Sequence, residues 1–357
     1  MKIFLFKFFL ILQLLSLINC VSLRAERMFD IVIDDGTSPT KSYAFIDTIT
    51  DKNRIVEVNR DGILVWEAEI NRAKNPHKIC RGADIEYLSK KQLFRALVPF
   101  TSITEVSRDK KYRIVLEDDG ISHDFDTLEN GNILYARGWV NKGQKEIIEV
   151  DSSGKIIFSW NGSKVISDKI WKKNAQIGFW PQKWNRRLKI TQKGEDWLHI
   201  NSVQKLIDGS YLVSSPNLNS ILILSKTGKI IRWIDGANIV HAPFVMGDKI
   251  IFSEKNPSND NQRLIERIVI IDSMGHEDYL LEGKLRAVRG IEVLDDDWLS
   301  LTSSGQIIEV DLNGNIRLQL KLTQQSESHE NNSKPYTNIK TYCGSGMGTL
   351  YNAVAIE

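Results

Sequence analysis

From about Ser42 onward the chain alternates short runs rich in Val, Ile, Leu and Trp with turns that carry glycine at a fixed offset. NRIVEVNRDGILVWEAEI (53–70), KEIIEVDSSGKIIFSW (145–160), NSILILSKTGKIIRWI (219–234), ERIVIIDSMGHEDYLL (266–281) and GQIIEVDLNGNIRLQL (305–320) each read as strand, turn, strand. Their turn glycines, Gly62, Gly154, Gly228, Gly275 and Gly314, stand where a positive φ is needed. A second kind of hairpin alternates with these: ADIEYLSKKQLFRALV (83–98), GISHDFDTLENGNILYA (120–136), DWLHINSVQKLIDGSYLVSS (196–215), IVHAPFVMGDKIIFSE (239–254) and RGIEVLDDDWLSLTS (289–303). Joined in pairs they make a four-strand unit. Starting points at Ala83, His123, Asn201, His241 and Arg289 are spaced 40, 40 and 48 residues apart, apart from one longer gap between His123 and Asn201. That is the period of a propeller blade.

The pattern therefore predicts an all-β chain, a six-bladed β-propeller with four-stranded blades. The first unit supplies only residues 43–70, so the tail TLYNAVAI (349–356) is expected to pair into the first blade and close the ring. Closure removes exposed sheet edges. No segment after Ser42 shows sustained helical periodicity.

Met1 to Ile18 carries Lys2 and Lys7, then an apolar run from Phe8 broken only by Gln13 and Ser16. This is the order of an export signal, and the run is short for a spanning helix, which needs about 20 apolar residues. The expected layout is a signal or lipoprotein signal over 1–20, a linker over 21–40 and a single propeller domain over 41–357. Cys20, in Leu-Ile-Asn-Cys, is the lipidation candidate; the alternatives are an uncleaved anchor or cleavage near Ala25. The protein is thus expected to be exported, periplasmic or held at the membrane through its N-terminus. In an oxidising compartment Cys80 and Cys343 are then expected to form a disulfide, the competing reading being two separate buried thiols.

With 47 basic and 45 acidic residues the chain has a net charge near +2, which names no polyanionic partner. Locally the balance differs. The long gap holds an insertion, 163–195, in which residues 164–193 carry nine Lys or Arg and one acid, Asp168, interleaved with Trp171, Phe179, Trp180 and Trp184. It reads as a solvated flap whose aromatics pack on the propeller, as a lid whose aromatics hold an apolar ring and whose cations attract an anion, or as a membrane-surface contact. No nucleic-acid-binding motif is present. A polar stretch at 324–334 contains His329, expected in an exposed loop.

Corresponding positions of different blades face one axis. Aligned on the apolar residue before each inner turn (Leu128, Leu206, Met246), the residue five places earlier is His123, Asn201 and His241, and His199 lies two residues before Asn201. Arg289 falls at the equivalent point of the sixth unit. A polar cluster at the axis is expected. Acid pairs built from Asp84, Asp124 and Asp126 are read instead as backbone-bonding groups beside turns. A zinc set of His123, His199 and His241 has no local ligand motif behind it, so no metal is assigned.

DWLHINSV, HDFDTLENGNILYA and VHAPFVMGDKIIF resemble the motifs of the bacterial arylsulfate sulfotransferases, and the IIEVDSSGKIIFSW units resemble their blades. The resemblance covers most of the chain after the signal and describes a divergent member. It implies a six-bladed propeller that moves a sulfuryl group between phenolic compounds without a nucleotide donor or other cofactor, through a sulfated histidine. It implies His241 as nucleophile, His199 as a helper at the sulfuryl oxygens or leaving phenolate, and His123 as a further pocket ligand beside Asn201. The implied partner is a small aryl sulfate or phenol, not nucleic acid.

One departure matters. Where the family commonly has Ser-Ser-Arg after the strand following DWLHINS, this chain reads Ser214-Ser215-Pro216-Asn217. Asn217 or Arg289 would then have to contact the substrate anion, and Arg289 has the competing option of pairing with Glu292 or a neighbouring acid. Three readings stand at this stage: an active sulfotransferase, a catalytically inactive propeller binding a small anionic or aromatic ligand, and an exported interaction scaffold.

Overall fold

Period-two alternation of β-branched residues, interrupted at short intervals by Gly, Asn and Asp, gives many short antiparallel strands. A computed structural model describes residues 26–47, 53–70, 83–177, 194–257, 264–285, 287–295, 297–323, 350 and 352–357. Strands β2 (Ser42–Ile46), β3 (Arg54–Asn59) and β4 (Leu64–Glu69) belong to blade 1, β5 (Asp84–Leu88) to β8 (Tyr112–Glu117) to blade 2, and β9 (Phe125–Thr127) to β12 (Ile156–Trp160) to blade 3. Blade 4 runs from β13 (Ser202–Lys205) to β16 (Ile230–Asp235), blade 5 from β17 (His241–Met246) to β20 (Glu277–Leu285), and blade 6 from β21 (Gly290–Asp295) to β24 (Ile316–Leu322). The last strand, β25 (Ala353–Ile356), pairs antiparallel with β2, Ser42 opposite Ile356 and Phe45 opposite Ala353, and so completes blade 1. The ring closes as the pattern predicts. The five turn glycines adopt φ between +73° and +87°.

Two expectations need correction. Within the stretch read as a linker, Phe29–Asp34 forms a strand, β1, paired with β24 as a fifth strand of blade 6. Only Phe29 of this strand is fully buried, so its alternation is too weak to read, while the open edge of β24 offers it a partner. Within the insertion, Asp168–Ile177 forms a helix, α1. Ser167 accepts the Ile170 N–H through its hydroxyl and so starts the helix, and Trp171 and Asn174 point inward while Lys169, Lys172 and Lys173 stay exposed. Cys20, Cys80, Cys343, His329 and the flap aromatics Phe179, Trp180 and Trp184 lie outside the described residues, and with them the lipidation and disulfide assignments.

Blades pack face to face through six apolar clusters, for example Leu134, Ile147 and Trp160 of blade 3 against Val213 and Leu222 of blade 4. Inside these faces the I-x-E-V repeat buries its glutamate. Glu57, Glu105, Glu149 and Glu309 sit on the third strand of their blades, and each is met by a cation. Glu149, for instance, accepts from Lys205 at 2.7 Å, Asn132 at 2.7 Å and Tyr211 at 2.9 Å, which joins blade 3 to blade 4. A buried carboxylate persists only when paired in this way.

The innermost strands leave backbone N–H groups unpaired on the axial side, and side chains of the preceding blade take them. Asp84 accepts from Phe125 N (3.2 Å), Glu86 from Thr127 N (2.8 Å) and Asp124 from Val203 N (2.7 Å). Gln204 accepts from Val245 N (3.2 Å) and Glu292 from Ala355 N (2.9 Å), while the amide of Asn352 donates to Asp84 (2.6 Å). The axial carboxylates are thus structural ties, as their positions beside turns predict. Burial first, and then the charges of Asp124 and Glu86, hold Asp84 and Asp126 well above the usual carboxylate range. Among the described residues no helix is long and apolar enough to cross a membrane.

Candidate active site

The axis encloses a cavity of about 360 Å³ to which every blade contributes, among others Asn352, Asp84, His123, Asn201, Ala242 and Arg289. Asn201 and His123 are buried and tightly held. The Asn201 amide donates to Val240 O at 2.9 Å and accepts from Ser214 Oγ at 2.5 Å, so it fixes blade 4 to the start of blade 5. His123 has φ 79°, a conformation an L-residue adopts only where its surroundings enforce it. Its Nδ1 lies 3.0 Å from Ser122 Oγ, which also accepts the Gly138 N–H at 2.9 Å. Gly138 is glycine for want of space: a Cβ there would stand 2.3 Å from His123 Nδ1 and 2.7 Å from Ile200 O. The His123 ring packs on Trp139 (centroids 4.0 Å apart), edge-on to His199 (4.7 Å), and Trp139 stacks in turn on Phe100 (4.8 Å).

His199, also left-handed at φ 53°, is clamped by Asp196 of its own loop, whose carboxylate oxygens lie 2.8 and 3.0 Å from Nδ1. A carboxylate only accepts, so Nδ1 carries the proton. The loop is secured from behind. Asn217 donates to Asp196 O at 2.6 Å, Ser215 to Leu198 O at 2.5 Å, and Trp197 stacks on Trp171 of α1 at 6.4 Å. Asn217 is therefore buried beneath the His199 loop, and the Asn217 amide holds backbone there.

His241 opens blade 5. Its Nδ1 lies 2.8 Å from Ile239 O, an acceptor, which assigns the proton to Nδ1 and the lone pair to Nε2. Arg289, from the start of blade 6, donates from Nη1 to that Nε2 at 2.5 Å. Burial, the Arg289 charge and the Lys255 charge, with a contribution from His199, hold His241 well below the usual histidine range. It is a neutral imidazole at neutral pH. Glu292 accepts from Ala355 N and is pushed up to about 7 by burial, with the Glu357 charge acting in the same direction.

Three histidines, an asparagine and an arginine from four successive blades thus cluster together: His123, Asn201 and Arg289 line the cavity, while His199 packs behind His123 and His241 behind Arg289. A model of the arylsulfotransferase (ASST) family matches residues 42–243, more than half of the chain and all three histidines. The chain belongs to the arylsulfotransferase family. Arg289 lies beyond the matched span. No curated protein matches the sequence. Among solved structures the chain is similar to a protein of unknown function from Bacteroides caccae, with a TM-score of 0.53 at 12% identity over 80% of this chain and 95% of that one. It also resembles a streptogramin B lyase, with a TM-score of 0.49 at 12% identity over 86% of this chain and 91% of the other. The first likeness supports the propeller fold.

Sequence reasoning missed Gly138, Trp139 and Phe100, which shape the wall behind His123, and the role of Asp196. The signal for Asp196 was present, three residues before His199. Gly138 and Trp139 follow β10 (Ile133–Ala136) with no repeat counterpart to mark them. Among the described residues no group of three or more His, Cys, Asp or Glu side chains is placed to hold a metal.

Proposed function

We propose that this arylsulfotransferase moves a sulfuryl group from an aryl sulfate to an acceptor phenol through a covalent sulfohistidine at His241. The observation that carries the reading is the state of His241: neutral, buried, its tautomer set by Ile239 O so that Nε2 holds the lone pair and meets Arg289, which lines the axial cavity. In the first half-reaction the Nε2 lone pair attacks sulfur, an N–S bond forms and the S–O(aryl) bond breaks. The phenolate leaves with the electron pair. His199, oriented by Asp196 and acting as the acid, gives that phenolate its proton; in the second half it takes the acceptor's proton while the acceptor oxygen attacks sulfur and the N–S bond breaks. One difficult displacement becomes two easier ones. His123 and Asn201 complete the polar wall. The export-signal order of residues 1–18 supports a location outside the cytoplasm, where phenolic sulfates from the surroundings are accessible.

The test is intact mass measurement after brief exposure to 4-nitrophenyl sulfate, with released phenol followed by absorbance and His241→Asn alongside. A gain of one sulfuryl group that the variant lacks is expected. A folded protein that binds the ester yet shows neither adduct nor phenol would refute the reading. That outcome would favour a non-catalytic binding propeller, the alternative that Pro216-Asn217 in place of Ser-Ser-Arg keeps in view.

A further inference from the structure

The lone pair assigned to attack is already occupied. Arg289 Nη1 donates to His241 Nε2 at 2.5 Å, and His241 is buried, so an electrophile reaches Nε2 only by taking the place of a guanidinium. The Arg289 backbone is pinned: its N–H donates to Thr302 O at 2.9 Å, and a Cβ on the next residue, Gly290, would lie 2.0 Å from Asn352 Oδ1. What can move is the side chain. Displacing it costs a charge-assisted hydrogen bond, and a neutral electrophile returns nothing for that loss. An anionic one offers oxygens in the geometry the planar fork accepts best. The described cations near His241 are Arg289 and Lys255, and Lys255 faces Glu266 at 3.6 Å. In the neighbouring blade 4, the loop after β14 (Tyr211–Ser215) carries Pro216 and Asn217 rather than a charge, and the Asn217 amide is turned to Asp196 O.

We infer that Arg289 is an electrophile gate, a specificity-determining residue that caps Nε2 of His241 in the substrate-free protein and swings onto the sulfuryl oxygens of an arriving aryl sulfate, uncovering the lone pair. The inference rests on His241 as the nucleophile. During transfer Arg289 stays charged and gains no proton. The bonds that form and break are those of the two half-reactions above, and the guanidinium N–H groups follow the charge on the transferred group. On release of the product ester Arg289 returns to Nε2. The gate therefore admits anionic electrophiles and resists neutral ones at the same nitrogen.

The experiment pits two electrophiles against each other in the full chain, wild type and Arg289→Met, which keeps the length of the stem without the charge. 4-Nitrophenyl sulfate reports sulfuryl transfer, and diethyl pyrocarbonate reports access of a neutral acylating agent, read by peptide mass at His241. His276, whose side chain is 73% exposed, is the internal reference. In Arg289→Met the carbethoxylation of His241 should rise about ten- to a hundredfold, the worth of one charged hydrogen bond. Sulfuryl transfer should fall about 10²- to 10³-fold, as when one oxyanion donor is lost. Opposite movement is the signature. Two rates that fall together mark a structural arginine and overturn the gate, as does an unchanged carbethoxylation rate. Arg289→Ala provides the same contrast should the methionine variant fail to fold. A wild-type protein that is never sulfated on His241 overturns the sulfohistidine reading itself, whichever way carbethoxylation moves.

Discussion

Gly138→Ala is the sharpest structural test of whether His123 belongs to the chemistry. The added methyl would stand 2.3 Å from His123 Nδ1, 2.8 Å from its Cε1 and 2.7 Å from Ile200 O, where ordinary contact begins near 3.4 Å. Ile200 O is main chain, next to the Asn201 tie between blades, and cannot swing aside. The ring must therefore retreat by about 1 Å, away from Ser122 and deeper against Trp139. Overpacking of this kind costs about 1–3 kcal/mol, and at about 2 °C per kcal/mol for a large domain the melting temperature should drop by about 2–6 °C. A misplacement of about 1 Å at a reacting centre can cost about 10²-fold in rate. The control is Gly131→Ala. Gly131 has φ +84° and open space around the position of a Cβ, so that variant suffers only backbone strain, on the far hairpin turn between β9 and β10. Both should melt earlier by calorimetry, and only Gly138→Ala should lose sulfuryl transfer. Equal activities in the two variants would show that His123 is a structural histidine.

Two further outcomes are expected. Asp196→Asn removes the carboxylate that orients His199 as the acid, so transfer from phenyl sulfate, with its basic leaving group, should fall about 10²- to 10⁴-fold while 4-nitrophenyl sulfate suffers far less; a loss independent of leaving group would contradict the assignment. Glu146, buried with Oε1 facing no donor, is pushed up to about 8 by burial against a reference of 4.5. A raised folded-state value means that its contribution is fully present below about pH 4.5 and is lost as pH rises through 8. Glu146→Gln, which keeps an acceptor for the Gly162 N–H, should be more stable than wild type at pH 8.5, by up to about 5 kcal/mol at 1.4 kcal/mol per unit, and should lose that advantage at pH 4.5. Parallel urea midpoints across that range would refute it.

The architecture was legible because each blade repeats two cues at once, period-two burial and a glycine in a turn that needs positive φ. Where either cue was absent the reading failed. β1 buries one residue fully, and among its described side chains α1 turns inward Trp171 and an amide, Asn174, that donates to Asp235 at 2.7 Å. Neither makes a stripe that periodicity can detect. At the site, equivalence between blades placed His123, Asn201, His241 and Arg289 on one ring, but the ring says nothing of partners. Arg289 could as readily have met Glu292 as His241, and only the path of its side chain toward blade 5 decides. Asn217 shows the converse: it follows the position where an anion-binding residue was sought, yet its amide reaches backward to Asp196 O and holds the loop that carries His199.

Left-handed backbone recurs in the loops that lead into the inner strands beside the histidines, although blade 2 also carries it at Gln92, Phe100 and Lys110 in its outer turns. The left-handed non-glycine residues include His123, ahead of β9; Asp196 and His199, ahead of β13; Ile239 and Ala242, flanking the start of β17; and Ala287, ahead of β21. Those are the loops that feed the inner strands of blades 3 to 6, the blades that supply the histidines and Arg289. Each such conformation costs on the order of 1–3 kcal/mol and survives only where neighbours over-determine it. Here the neighbours are visible: the Ser122 hydroxyl at His123, the Asp196 carboxylate at His199, the Ile239 carbonyl at His241. Blades 1 and 2 feed their inner strands without a left-handed residue in the described part of those loops and place Asn352 and Asp84 on the axis, both spent on ties between blades. A closed ring of six similar sheets can absorb local strain on one side because the apolar faces between blades hold it together throughout.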